Sequence, residues 1–263
     1  MKGTTTRRVA ITGLGTINCL GNDVQTTWEK ISAGQSGIGR IQNFDTSDFK
    51  TQIGGQVKEF DGEKLFGRRD ARRMDNVAQY GLAAAGQAIQ DAGLDTFTEE
   101  QKKTIGVIIG NGLGGIATTT ENVQTMLERE GNRVSPFFIP MMLTDSTPAQ
   151  ISLRFGFQGT NMALATACAS STNAIGEAAR MIAAGVSDVM VAGGAETAVV
   201  PFSIAGFDIM GAMCGDRNDE PTRACRPFDA TRSGFIPADG AAILILEEME
   251  HAKARGTHIY GEV

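Results

Sequence analysis

Short apolar runs alternate along the whole chain with segments whose apolar residues recur at helical spacing, and this alternation constrains the fold more than any other feature. The runs are Val9-Ala10-Ile11-Thr12, Ile105-Gly106-Val107-Ile108-Ile109 and residues 161–166, 188–192 and 241–247. Strands that alternate with helices build a layered α/β fold on a mostly parallel sheet. A run such as 105–109, apolar at every position but one, belongs to a strand covered on both faces. The covering helices lie between the runs. Residues 23–32 carry Trp28 and Ile31 on one side, and 72–92 place Met74, Val77, Ala78, Leu82, Ala85 and Ile89 at helical spacing. The second segment stops at Gly93, where glycine easily forms a left-handed cap. Residues 170–184 form a helix of small side chains and 248–255 a short charged one. Glycine gathers in strings, at 13 and 15, at 110, 112, 114 and 115, and at 193 and 194. These are read as tight turns after strands. The first, between a strand and a helix, lacks the third glycine of a dinucleotide fingerprint, so nucleotide binding is set aside.

With 263 residues the chain buries a large core, and one domain is expected. A formal charge of -6, with Lys and Arg thinly spread outside 68–73, argues against nucleic-acid binding. No apolar run approaches the ~20 residues of a membrane span, and Met1 to Arg8 lead into the first strand without a signal-peptide core. A cytoplasmic protein is expected. Cys19, Cys168, Cys214 and Cys225 show no metal-binding spacing, so reduced thiols are expected, without zinc or a disulfide framework. The chain stops at Val263 just after a strand-like run at 258–260, which suggests a piece of a longer polypeptide.

Cys168 sits between the run ending at Thr166 and the small-residue helix that follows. A thiol there faces the positive end of the helix dipole and its unpaired amides, an environment that favours thiolate. Thiolate attack on an acyl thioester forms a second thioester, which keeps the acyl group activated. The position also suits a small buried hydrophobe, and placement alone does not choose between the two.

Longer stretches make the choice. Thr166-Ala167-Cys168-Ala169-Ser170, Ala174-Ile175-Gly176-Glu177-Ala178-Ala179-Arg180 and Asp188-Val189-Met190-Val191-Ala192-Gly193-Gly194-Ala195-Glu196 resemble the nucleophile segment of type II elongating β-ketoacyl-[acyl carrier protein] synthases. Arg72-Arg73-Met74-Asp75, Ser135-Pro136-Phe137-Phe138-Ile139-Pro140, Arg217-Asn218-Asp219 and Arg226-Pro227-Phe228-Asp229 with Arg232 agree with that family in order, from Val9 to Val263. The resemblance implies a thiolase-like αβαβα fold made of two similar halves, usually a homodimer. Residues 1–256 would be the first half and 257–263 the start of the second.

The resemblance also implies a decarboxylative condensation: an acyl chain held on Cys168 is extended with malonyl-[acyl carrier protein], in fatty acid or polyketide synthesis. The backbone N–H of Cys168 would be one oxyanion donor. Two family histidines that complete the site belong to the second half, and neither His251 nor His258 matches them. Leu113, Ala167, Ser203 and Phe207 would line the acyl tunnel, with Phe138 and Ile139 reaching into the partner subunit's tunnel. Ser203 stands where family members commonly have glycine. Arg232-Ser233-Gly234 departs from the family's Arg-Asp-Gly, and Pro237-Ala238-Asp239-Gly240 from its small-residue turn. Cys214 and Cys225 would be inert. Without the resemblance, Arg68, Arg69, Arg72 and Arg73 read as a solvated face; with it, Arg69, Arg72 and Arg73 match positions that dock the acidic acyl carrier protein. No cofactor is expected, because substrates arrive on the carrier's phosphopantetheine. Two other functions share the fold: a chain-length-factor partner, which usually lacks the nucleophile, and a thiolase acting on acyl-coenzyme A. Cys168 speaks against the first, although an inactive half that lacks the catalytic histidines could still accept acyl groups or assemble with a partner, and the 135–140 and 226–229 segments speak against the second.

Overall fold

The apolar runs become a single six-stranded sheet in the computed structural model, which describes residues 7–129 and 133–263. The opening six residues, read above as leading straight into a strand, lie outside the described residues. In chain order the elements used below are β1 (Val9–Asn18), α1 (Val24–Ser32), α2 (Asn76–Asp91), β2 (Gly106–Gly110), α3 (Ile116–Glu128), α4 (Ser146–Phe155), β3 (Asn161–Leu164), α5 (Ser170–Ala183), β4 (Val189–Glu196), α6 (Pro201–Ile209), β5 (Gly240–Glu248), α7 (Met249–Ala254) and β6 (Gly261–Glu262). The sheet order is β3-β2-β4-β5-β1-β6.

Side-chain alternation divides the sheet between two covers. Val107 and Ile109 of β2, Val189 and Val191 of β4, and Ile243 and Ile245 of β5 pack with Val77, Ala85 and Ile89 of α2 and Ile151 of α4. Ile108, Met190 and Leu246, one residue out of phase, pack instead with Ala174, Ala178 and Ile182 of α5. Both faces are thus covered, as the continuous apolar runs require. Trp28 and Ile31 of α1 stay largely in solvent. Among the described residues, no helix is long and apolar enough to cross a membrane.

Three expectations are corrected. The sheet is mixed, not mostly parallel: β2 runs parallel to β3 and β4, but β5 is antiparallel to both β4 and β1, and β6 is antiparallel to β1. Apolarity reports burial on two faces, and a central antiparallel strand such as β5 is as deeply covered as a parallel one. Two of the three glycine strings lie inside strands. Gly13 and Gly15 belong to β1, where a Cβ would come within 2.3 Å of the Ala88 carbonyl oxygen and 1.9 Å of that of Ala84, so they let α2 lie directly on the strand. Gly193 (φ 155°) and Gly194 belong to β4, and a Cβ at Gly194 would meet Ser171 Cβ at 2.7 Å. Only the string after β2 turns as expected, with Gly114 at φ 64°. Third, α2 starts at Asn76, not at 72, because the Asp75 carboxylate accepts the Val77 N–H (3.1 Å) and caps it. Its end is as read, with Gly93 left-handed at φ 68°. The run at 258–260 leads into β6: Gly261 and Glu262 face Ile11 and Ala10, and the Tyr260 N–H donates to the Ile11 carbonyl (2.9 Å).

Candidate active site

The site forms where β2, β4 and β5 meet the start of α5. Gly110 ends β2 beneath that helix, and a Cβ there would lie 2.2 Å from the Ser170 carbonyl carbon. With Gly194 beside Ser171, two glycines bring the helix N-terminus down onto the sheet at the carboxyl ends of two parallel strands, the usual ligand position in such sheets. The turn into the helix is sharp. Ala167 has φ 53°, an uncommon value for a residue with a Cβ. Ser170 holds it: its hydroxyl donates to the Ala167 carbonyl (2.6 Å) and accepts the Thr166 N–H (2.9 Å). Cys168 follows Ala167 and is exposed. Its thiol stands in an open cleft of about 400 Å³ with Ala167, Gly112, Asn111, Glu196 and Asp239 in the lining.

The floor of the cleft is acidic. Glu196 Oε2 accepts the N–H groups of Gly112 (2.8 Å) and Leu113 (3.2 Å), and Oε1 that of Thr197 (3.3 Å). Burial pushes this carboxyl up, and the three N–H donors offset that only in part. Asp239 accepts the Val199 N–H (2.9 Å); burial raises it to about 6 despite that bond, with Glu196 and Asp75 adding like charge. Asp75 accepts the Thr118 hydroxyl (2.7 Å) and N–H (3.0 Å). Tyr80 is pushed up to about 12 by burial and then by the charges of Asp239 and Asp75. Among the described residues, no three His, Cys, Asp or Glu side chains gather as a metal cage.

Of the residues singled out in the sequence, the structure brings Ala167 and Cys168 together in the cleft. Leu113 is part of the same rim through its N–H bond to Glu196, and its side chain is exposed. Ser203 is buried on α6, one turn from Phe207, whose ring meets Phe235 edge-on at 5.2 Å. Phe207 packs with Ile41, Val199, Ile204 and Met213 in a cluster of its own. Phe138 and Ile139 lie on a single helical turn at Phe138–Met142, with Ile139 exposed. These four do not line the cleft. Arg69 and Arg72 are exposed, and Arg72 pairs with Glu63 at 3.5 Å. Arg73 is half-buried with its guanidinium 4.6 Å from the centre of the Phe137 ring. Neither histidine lines the cleft: His251 pairs with Glu247, and His258 meets the Tyr260 ring at 4.4 Å.

The other thiols lie outside the cleft. Burial pushes the Cys19 thiol up. Cys214 is fully buried, and Cys225 is exposed but outside the cleft. Ser233, where the family has aspartate, donates to Asp216 and lies 3.2 Å from Cys214 Sγ. Reading the sequence for function passed over Glu196, Asp239, Asn111 and Ser170. The first two had a signal: each is the lone acid at one end of an apolar strand, a poor place for a charge without a task.

Comparison with known proteins agrees with this geometry. The sequence pattern of the family described as beta-ketoacyl synthase, N-terminal domain, matches residues 6–252, and the chain belongs to that family. It is 48% identical over 257 residues to a 3-oxoacyl-[acyl-carrier-protein] synthase 2 of Vibrio cholerae, covering 98% of this chain and 62% of that protein. A Staphylococcus aureus protein of the same name is 42% identical over 257 residues, covering 98% and 61%. The chain thus spans about three fifths of the length of these relatives. Among solved structures, a beta-ketoacyl synthase from Burkholderia phymatum superimposes with a TM-score of 0.88 at 34% identity, over 97% of this chain and 62% of the other. A type II polyketide ketosynthase in complex with its acyl-carrier protein superimposes with a TM-score of 0.86 at 29% identity, over 98% and 62%. The fold is the layered α/β fold of the ketosynthases.

Proposed function

We propose that this chain is the nucleophile-bearing part of a condensing acyltransferase that accepts an acyl group on Cys168 from acyl carrier protein and extends it with malonyl-[acyl carrier protein]. The observation that carries the reading is the exposure of Cys168 at a strained turn that Ser170 holds in place. In the first half-reaction the Cys168 thiolate attacks the thioester carbonyl, the oxyanion takes the Cys168 N–H, and the carrier's pantetheine thiolate leaves. In the second, malonyl thioester loses carbon dioxide and its carbanion attacks the new thioester. The 3-ketoacyl product leaves and the Cys168 thiolate is restored. Stabilising that carbanion belongs to the family's two histidines, neither of which is His251 or His258.

Leu113, Ala167, Ser203 and Phe207 would contact the acyl chain, and Arg69, Arg72 and Arg73 the acidic carrier, its substrates arriving on phosphopantetheine without a further cofactor. A homodimer would bring Phe138 and Ile139 to the partner subunit; the exposure of Ile139 and the edge position of β3 support it. We place the protein in the cytoplasm. A solved structure described as the ishigamide ketosynthase/chain length factor superimposes at a TM-score of 0.88 and 28% identity, which keeps the chain-length-factor reading in view. The nucleophile favours the enzyme.

The test is mass spectrometry of the intact chain after incubation with acyl-[acyl carrier protein]. One acyl group is expected on the wild type and none on Cys168→Ala. Acylation of the alanine variant to the wild-type extent would refute the assignment.

A further inference from the structure

Glu196 ends β4 in the cleft, and none of the acyl-transfer steps above uses it. It carries the loop after β2. One carboxylate oxygen takes the N–H groups of both Gly112 and Leu113, and the other takes that of Thr197. Asn111 fastens the same loop, its amide donating to the Ala195 carbonyl (3.1 Å) and its oxygen accepting the Gly114 N–H. The loop has no slack on either side. A Cβ at Gly112 would lie 2.8 Å from Glu196 Oε2 and 3.8 Å from the Ala167 carbonyl oxygen; one at Gly115 would lie 2.2 Å from the Met141 carbonyl oxygen. Glu196 therefore lies against the backbone of Gly112, and both line the cleft with Ala167 and Cys168.

We propose that Glu196 is a positioning residue for the acyl chain, its carboxylate fixing the Gly112–Leu113 backbone at the cleft that holds Ala167 and Cys168 and so setting which acyl chains fit beside the nucleophile. The inference rests on the acyl-accepting role proposed for Cys168. An ionised carboxylate accepts at both oxygens, whereas a glutamine must turn an NH2 group toward either Thr197 or the loop pair, donor against donor. Charge, not bulk, is what the site requires. Burial opposes that charge, and the three N–H donors are what sustains it.

The experiment uses Glu196→Gln and Glu196→Asp in the 263-residue chain. Three properties are compared with the wild type: alkylation of Cys168 by iodoacetamide, hydrogen exchange at the Gly112 and Leu113 amides, and acylation by carrier proteins loaded with a short and a long chain. For Glu196→Gln we expect alkylation within about twofold, clearly faster exchange, and a long-to-short acylation ratio shifted about tenfold, the scale of one lost charge-assisted hydrogen bond. Glu196→Asp keeps the charge but withdraws it by one methylene, and gives an intermediate shift if the glutamine variant fails to fold. Protected amides in Glu196→Gln, or an unchanged ratio, would overturn the proposal. So would alkylation and acylation falling together in both variants, which would make Glu196 a structural residue only. A wild type that takes no acyl group would overturn the functional reading and this inference with it; acylated wild type with a flat ratio in the variants overturns the inference alone.

Discussion

Asp239 shows how a single residue at this site trades stability for placement. Its carboxyl is raised to about 6, first by burial, so between roughly pH 4 and 6 the folded chain binds a proton there that the unfolded chain has released. Stability from this group is present below pH 4 and is lost as the pH rises through 6. Above that, the cost of the buried charge is on the order of 2–3 kcal/mol, from about two pKa units at 1.36 kcal/mol each. Asp239→Asn removes the titration and keeps an oxygen for the Val199 N–H. Its stability relative to the wild type should rise between pH 5 and pH 8 in urea denaturation at the two values, and an unchanged difference would refute the buried charge. At this scale the sequence was legible at Cys168, whose neighbours spell a motif. It was silent on Ser170 and Asn111, because a hydrogen bond to a backbone atom leaves no pattern in the chain.

At the scale of elements, helix and strand positions could be read because periodicity records which faces are covered. The glycines were misread because a glycine chosen for a turn and one chosen for close approach look alike in sequence. Gly15 and Gly176 separate the two. A Cβ at Gly15 points at the backbone of Ala84, which cannot yield like a side chain, whereas one at Gly176 in α5 meets nothing within 4 Å. Gly15→Ala should therefore destabilise by about 1–3 kcal/mol or more through overpacking. Gly176→Ala should stabilise by roughly 0.5–1 kcal/mol, as alanine usually does inside a helix. Urea midpoints measure both, and equal midpoints would contradict the contact of α2 with β1. The mixed strand directions were beyond the sequence for a related reason: direction is set by where connections run, and apolar runs do not encode it.

On the scale of the whole molecule, the cleft as built suits the first half-reaction better than the second. It offers an exposed thiol and the Cys168 amide, but its charged groups are Glu196 and Asp239, which repel a developing enolate. Preorganised donors at such an anion are worth on the order of a hundredfold each in rate. The 263-residue chain by itself is therefore expected to accept an acyl group without forming 3-ketoacyl product above background. Intact mass follows the first event and chromatography of released product the second. Robust product would mean that the acids of the cleft, or a histidine now paired elsewhere, do what the family assigns to other residues.

The pairing of β1 bears on how the chain is made. Its two neighbours are β5 and β6, so Val9 faces Glu248 across the sheet and Ala10 faces Glu262. A ribosome adding about 5–20 residues per second leaves this apolar strand without either partner for roughly 10–50 s after it is synthesised. Helices α1 and α2, both made long before β5, are its early companions, and the two glycines that let α2 lie against it hold that contact together. Nascent chains of this protein should accordingly be clients of chaperones that shield apolar segments, until β5 and β6 have been made and release them.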